Sequence, residues 1–157
     1  MIKILFVCHG NICRSPMAHC VLTQMVKELG REEEFFIDSM ATSTEELGNG
    51  IYPPAKRKMQ EKGVPLISHF STQMQKKDYD RFDLIFGMDC ANIRNILRIC
   101  GGDKDEKVQR LLDLTGHPRD VADPWYTGDF EATYRDVLEG CKALLEHIDS
   151  GKLPKNR

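Results

Sequence analysis

Two short stretches carry side chains able to do covalent chemistry. The first is Cys8-His9-Gly10-Asn11-Ile12-Cys13-Arg14-Ser15, which sets a thiol and a guanidinium in a C-x5-R spacing. A thiolate is a strong nucleophile, and an arginine fork matches two oxygens of a tetrahedral oxyanion. Gly10 and Asn11 are types that tolerate the positive φ needed to turn successive amides inward as an anion nest. The Ser15 hydroxyl can stabilise a thiolate and, later, a departing sulfur. The spacing alone is weak: Cys8 would pass for a buried small hydrophobe and Arg14 for a surface cation. The second stretch is Asp123-Pro124, the only Asp-Pro pair in the chain. Proline keeps the preceding residue extended, which aims a carboxylic acid from a loop. Its plainer reading is a surface turn.

The elements around the first stretch strengthen it. Ile2 to Val7 is a nearly continuous apolar run, as expected of a strand buried on both faces of a parallel sheet. The thiol loop follows, then Ser15-Pro16, which reads as an N-cap and a first helical residue. Met17, Val21, Leu22, Met25 and Leu29 continue at helical spacing, and Gly30 closes the helix. The loop thus lies beyond the carboxyl end of a strand, where open α/β folds bind ligands. It feeds a helix N-terminus whose free amides and dipole attract an anion, and the same field favours the thiolate of Cys8.

Further along, Phe35-Phe36-Ile37 reads as a second strand and Asp38 to Tyr52 as a polar loop. Pro53-Pro54 opens a helix running to Lys62 and closed by Gly63. Leu84-Ile85-Phe86 is a third strand, with Asp89 capping the helix after it. Val108, Leu111 and Leu112 mark a weaker fourth strand. Residues 113–128 form a turn-rich loop, and the last helix spans Phe130 to Ile148 with one apolar face. Strands alternating with helices predict an α/β domain with a parallel sheet. The domain is expected over 1–150, with a frayed tail at 151–157.

Composition narrows the classes. At 157 residues one domain is expected, and 41% hydrophobic with 29% charged residues is ordinary for a globular protein. A net charge of -2 gives no global pull toward nucleic acid or an anionic membrane, so neither is an expected partner. No run approaches the roughly 20 apolar residues a membrane span needs, and no export signal is evident. Cys8, Cys13, Cys20, Cys90, Cys100 and Cys141 are therefore expected to be reduced thiols in a cytoplasmic protein. No C-x2-C pair occurs, so a zinc site is not expected.

The loop C-H-G-N-I-C-R-S-P resembles the signature of low-molecular-weight protein tyrosine phosphatases, C-x-G-N-I-C-R-S-P. The resemblance covers almost the whole chain. Asp38-Ser39 resembles the family's strand-end pair. Phe82-Asp83-Leu84-Ile85 with Met88-Asp89 resembles its F-D-x-I…M-D segment. Asp123-Pro124-Trp125-Tyr126 resembles its D-P-aromatic-aromatic loop, and Asp129-Phe130-Glu131-Ala132 with Tyr134 the start of its last helix. The resemblance implies a three-layer sandwich whose four-stranded parallel sheet has the order 2-1-3-4, with helices on both faces.

It also implies roles. Cys8 would be the nucleophile, Arg14 the phosphate clamp, and Asp123 the general acid and later the base that activates water. His9, Gly10, Asn11, Ile12, Cys13 and Ser15 would bind phosphate. Asn11, Ser15, Ser39 and His69 would form a polar network holding the loop, and Ile12, Trp125 and Tyr126 would wall the slot for a tyrosine ring. The substrate would be a phosphotyrosine-containing protein, hydrolysed through a phosphocysteine. With Arg14 and the loop amides stabilising charge, no metal or cofactor is expected. The chain is expected to be a monomer, with a weak dimer as the alternative.

Departures and rivals remain open at this level. Glu45-Glu46 stand where the family often has an aromatic rim residue, which is expected to disfavour acidic flanks on the substrate. His9 has no evident role. Cys13 is either packing or a disulfide partner protecting Cys8. Related protein-arginine phosphatases usually carry Thr at the position of Ile12, so isoleucine favours phosphotyrosine. Thioredoxin-coupled arsenate reductases need two further shuttle cysteines, and Cys90 and Cys100 do not match that pattern. Phosphocysteine carriers of sugar uptake lack both the loop arginine and the D-P acid.

Overall fold

The computed structural model describes residues 1–151. Its sheet has four parallel strands: β1 (Ile2–Cys8), β2 (Phe35–Ala41), β3 (Leu84–Gly87) and β4 (Val108–Arg110), in the order β2-β1-β3-β4. The helices are α1 (Arg14–Glu28), α2 (Pro53–Glu61), α3 (Cys90–Cys100), the single turn α4 (Pro124–Thr127) and α5 (Phe130–Ser150). β1 is central, paired with β2 from Ile2↔Phe35 to Cys8↔Ala41 and with β3 from Ile4↔Leu84 to Val7↔Gly87.

The unbroken apolar run of β1 follows from this placement. Ile4, Phe6 and Cys8 point into one core with residues of α1, α2 and α5. Leu5 and Val7 point into a second core with Tyr79, Phe82, Ile85 and Ile96 on the other side of the sheet. Both faces are buried, so period-two alternation of apolar and polar residues is absent. The chain leaves β1 for β2 on one side and later returns for β3 on the other. The carboxyl end of β1 is therefore the switch point of the sheet.

Several boundaries differ from the sequence expectation. β2 continues through Asp38-Ser39-Met40-Ala41, which had read as loop, because β1 runs to Cys8 and pairs with it over that length. β4 stops at Arg110; Leu111 and Leu112 lie in a 3₁₀ turn instead. Asp113 ends the strand by accepting hydrogen bonds from the Arg110 amide and Nε, both at 2.9 Å. Ser15 is not an N-cap. The helix begins at Arg14, and Cys13 occupies the cap position with no side-chain hydrogen bond. Pro16 is tolerated at the third helical position because the first four helical amides lack intrahelical partners anyway. Asp89 caps α3 as expected, accepting from the Asn92 amide at 2.7 Å. Beyond residue 151, the tail expected to fray lies outside the described residues.

Candidate active site

The loop between β1 and α1 is held by its carbonyls. The Cys8 carbonyl accepts from the Thr42 amide at 3.0 Å, and the His9 carbonyl from the Ser43 amide at 3.1 Å and hydroxyl at 2.9 Å. The Gly10 carbonyl accepts from Ser71 Oγ at 2.9 Å, and that of Asn11 from His69 Nε2 at 2.8 Å. The Ile12 carbonyl accepts from the Tyr52 amide at 2.8 Å. With the carbonyls engaged by surrounding segments, the amide side of the loop is left to serve an anion. Asn11 sits at φ 59°, a left-handed conformation that the turn requires and that asparagine tolerates.

The sulfur of Cys8 lies inside this loop. It is 3.0 Å from Ser15 Oγ and accepts from the Asn11 amide at 3.3 Å. Asn11 Nδ2 donates to the same Ser15 oxygen at 2.8 Å, which leaves the hydroxyl proton free to point at sulfur. Cys13 is also a buried free thiol. Burial first, then the nearby charges of Cys8 and Asp123, push its pKa up to about 12.

Arg14 is 3% exposed and donates three hydrogen bonds, all from its terminal nitrogens. Its Nη1 donates to Asp89 Oδ2 at 2.8 Å and to the Val121 carbonyl at 3.1 Å, and its Nη2 to Asp123 Oδ2 at 3.3 Å. Burial alone would lower its pKa, but the neighbouring Cys8, Asp123 and Asp89 charges outweigh that and hold it above its ordinary value. Asp123 caps the α4 turn, accepting from the Trp125 amide at 3.0 Å. One oxygen thus fixes the carboxylate to its own loop while the other faces Arg14.

Cys8, Asn11, Cys13, Arg14 and Asp123 line a cavity of about 390 Å³ together with Glu45, Glu46, Asp89, Trp125 and Tyr126. Trp125 is 57% and Tyr126 85% exposed, so their rings stand at the mouth rather than in the core. Trp125 leans on Tyr52, with centroids 5.2 Å apart. Ile12 is buried and lines the same cavity as Cys8.

Of the residues singled out from sequence, Ser39 stands apart. Its hydroxyl pairs with His19 Nδ1 at 3.2 Å, not with any loop group. Residues overlooked as site members include Asp89, whose M-D segment was visible but whose pairing with Arg14 spans 75 positions. Ser71 left no sequence signal. His9, without a role in sequence, bonds Glu45 Oε2 through Nε2 at 2.9 Å. Among the described residues, no three His, Cys, Asp or Glu side chains converge as metal ligands. No helix among them is long and apolar enough to cross a membrane.

Fold and site define a doubly wound α/β domain with a buried cysteine and arginine in the loop at its switch point. The family model described as low molecular weight phosphotyrosine protein phosphatase matches residues 3–153. The low molecular weight protein-tyrosine-phosphatase YfkJ of Bacillus subtilis is 34% identical over 154 residues, covering 97% of this chain and 99% of that protein. The crystal structure of YfkJ superposes with a TM-score of 0.92 over 98% of both chains. The low molecular weight phosphotyrosine protein phosphatase of Homo sapiens is 38% identical over 152 residues, 92% of this chain and 94% of the relative. The crystal structure of DARP, a drosophila arginine phosphatase, is 26% identical with a TM-score of 0.86, covering 94% of this chain and 98% of that one. The chain belongs to the low molecular weight phosphotyrosine protein phosphatase family, a family of hydrolases.

Proposed function

We propose that the protein hydrolyses phosphotyrosine in protein substrates through a phosphocysteine intermediate. The observation that carries this reading is the placement of Cys8 Sγ inside a loop whose carbonyls are all engaged, with Arg14 and Asp123 on the same cavity. The Cys8 thiolate attacks phosphorus in line with the departing phenolic oxygen. The phosphorus–sulfur bond forms as the phosphorus–oxygen bond breaks, and Asp123 delivers a proton to the phenolate. Arg14 and the loop amides neutralise the equatorial oxygens throughout. In the second step Asp123, now a carboxylate, takes a proton from water as it attacks phosphorus. Inorganic phosphate leaves and the thiolate returns, with Ser15 Oγ hydrogen-bonded to the sulfur. His9, Gly10, Asn11, Ile12 and Cys13 contribute loop backbone to phosphate binding; Ile12, Trp125 and Tyr126 grip the ring.

The likeness to an arginine phosphatase favours a second reading, phosphoarginine hydrolysis by the same steps. Buried apolar Ile12, lining the same cavity as Cys8, supports the aromatic substrate instead. The deciding experiment compares phosphate release from phosphotyrosine, phosphoserine and phosphoarginine peptides with a chelator present. Release from phosphotyrosine is expected; release mainly from phosphoarginine would keep the mechanism and overturn the specificity. A thiolate nucleophile works only while reduced, and all six cysteines are free thiols. On that basis we place the protein in the cytoplasm.

A further inference from the structure

The cavity is acidic around a single guanidinium. Glu45, Glu46, Asp89 and Asp123 line it with Arg14. Each oxygen of the two aspartates already has a partner. Asp89 gives one oxygen to Arg14 at 2.8 Å and the other to the Asn92 amide at 2.7 Å. Asp123 gives one to Arg14 at 3.3 Å and the other to the Trp125 amide at 3.0 Å.

The two glutamates are tethered by one oxygen each. Glu45 Oε2 accepts from His9 Nε2 at 2.9 Å, and Glu46 Oε1 accepts from Asn49 Nδ2 at 2.9 Å. Glu45 Oε1 and Glu46 Oε2 have no hydrogen-bond partner among the described residues. The Glu45 side chain is 69% exposed. Glu46 lies over the loop itself, its Cγ 3.2 Å from where a Cβ on Gly10 would stand. Their segment is fixed to the loop through the Thr42 and Ser43 bonds to the Cys8 and His9 carbonyls. Two carboxylates are thus held at set positions beside the phosphate loop, each with one oxygen available.

We propose that Glu45 and Glu46 are specificity-determining residues that select phosphotyrosines flanked by lysine or arginine, Glu45 being the principal contact. The inference rests on the phosphotyrosine reading above. A phosphate ester brings negative charge to a site where Arg14 is already paired with the Asp89 carboxylate. An acidic flank adds repulsion from the rim at a range within the ~10 Å Debye length. A basic flank supplies the missing positive charge, pairs with the available glutamate oxygens, and can lie over the exposed Trp125 and Tyr126 rings.

The test is kcat/KM for phosphotyrosine peptides of equal length with Lys, Ala or Glu on both sides of the tyrosine. At low ionic strength the Lys peptide is expected to exceed the Glu peptide by roughly threefold to tenfold, the worth of two exposed ion pairs. The ratio should shrink as salt rises. Glu45→Gln with Glu46→Gln should bring it within about twofold, and Glu45→Lys should invert it. Turnover of all three peptides at equal rates would overturn the selectivity while leaving the phosphatase reading intact. So would a ratio insensitive to salt or unchanged in the double variant. No release from any of them overturns both.

Discussion

Ser15 Oγ lies 3.0 Å from Cys8 Sγ while accepting a hydrogen bond from Asn11 Nδ2 at 2.8 Å. One hydroxyl therefore serves the nucleophile and the loop together, and it is drawn from the first turn of α1 rather than from a capping position. Ser15→Ala removes both services. Asn11, fully buried, loses the partner of its side-chain amide, a cost of about 1–3 kcal/mol in unfolding free energy. In turnover, the thiolate leaving in the second step loses its donor. The expected result is a kcat lower by roughly ten- to a hundredfold, with a larger burst of phenol release because phosphocysteine accumulates. Rapid-mixing measurements with an aryl phosphate would show it; a slower reaction without a burst would place the serine in the first step.

Asp123 meets Arg14 through one oxygen and its own loop through the other. As the acid, it matters most when the leaving group cannot depart unprotonated. Asp123→Ala is expected to slow phenyl phosphate on the order of a hundredfold, and para-nitrophenyl phosphate much less. A plot of log kcat/KM against leaving-group pKa should steepen. Equal slowing of both substrates would remove Asp123 from that role.

What the sequence made legible is what local pattern encodes. The run Ile2 to Val7, the turn types Gly10 and Asn11 and the closing Gly30 placed the loop at a strand end before any contact was known. Residues whose roles depend on distant partners stayed hidden. Asp89 reads as a helix cap, and its second oxygen reaches Arg14 only because α3 follows β3, the neighbour of β1. Ser15-Pro16 mimicked a helix start because local preference favours serine at a cap, whereas the buried sulfur and Asn11 claim the hydroxyl. Leu111 and Leu112 kept the apolarity of a strand, since burial under α5 demands it in any backbone conformation.

Gly140 lies within α5, where alanine would ordinarily gain about 1 kcal/mol of helix stability. Here a Cβ would press on Leu111, meeting its Cδ2 at 2.8 Å. Leu111 is fully buried in the 3₁₀ turn after β4 and has no room to yield. Gly140→Ala is therefore expected to destabilise by about 1–3 kcal/mol through overpacking, contrary to propensity. Urea unfolding would show a lower midpoint at unchanged slope; a raised midpoint would mean the turn can retreat from the helix.

His19 sits on α1 with Nδ1 3.2 Å from Ser39 Oγ. Burial first, then the charge of His69, lowers its pKa from 6.5 to about 4. Above pH 6.5 the ring is neutral in the folded and the unfolded chain, so it adds no pH dependence. Between about 6.5 and 4 the unfolded chain takes up a proton that the folded one refuses. Stability falls through that window by as much as about 1.4 kcal/mol per pH unit, on the order of 3 kcal/mol in all, and this loss ends below about pH 4. Asp38 acts in the opposite sense: burial raises its pKa, so protonation on acidification favours the folded state. Only the difference between the protein and a His19 variant isolates the ring. His19→Gln can still hydrogen-bond Ser39 and carries no titratable group. Its unfolding free energy should decline less than that of the parent protein from pH 6.5 to 4, with the two profiles parallel above pH 7. Profiles that stay parallel down to pH 4 would show that the folded protein accepts the proton on His19 as readily as the unfolded chain does.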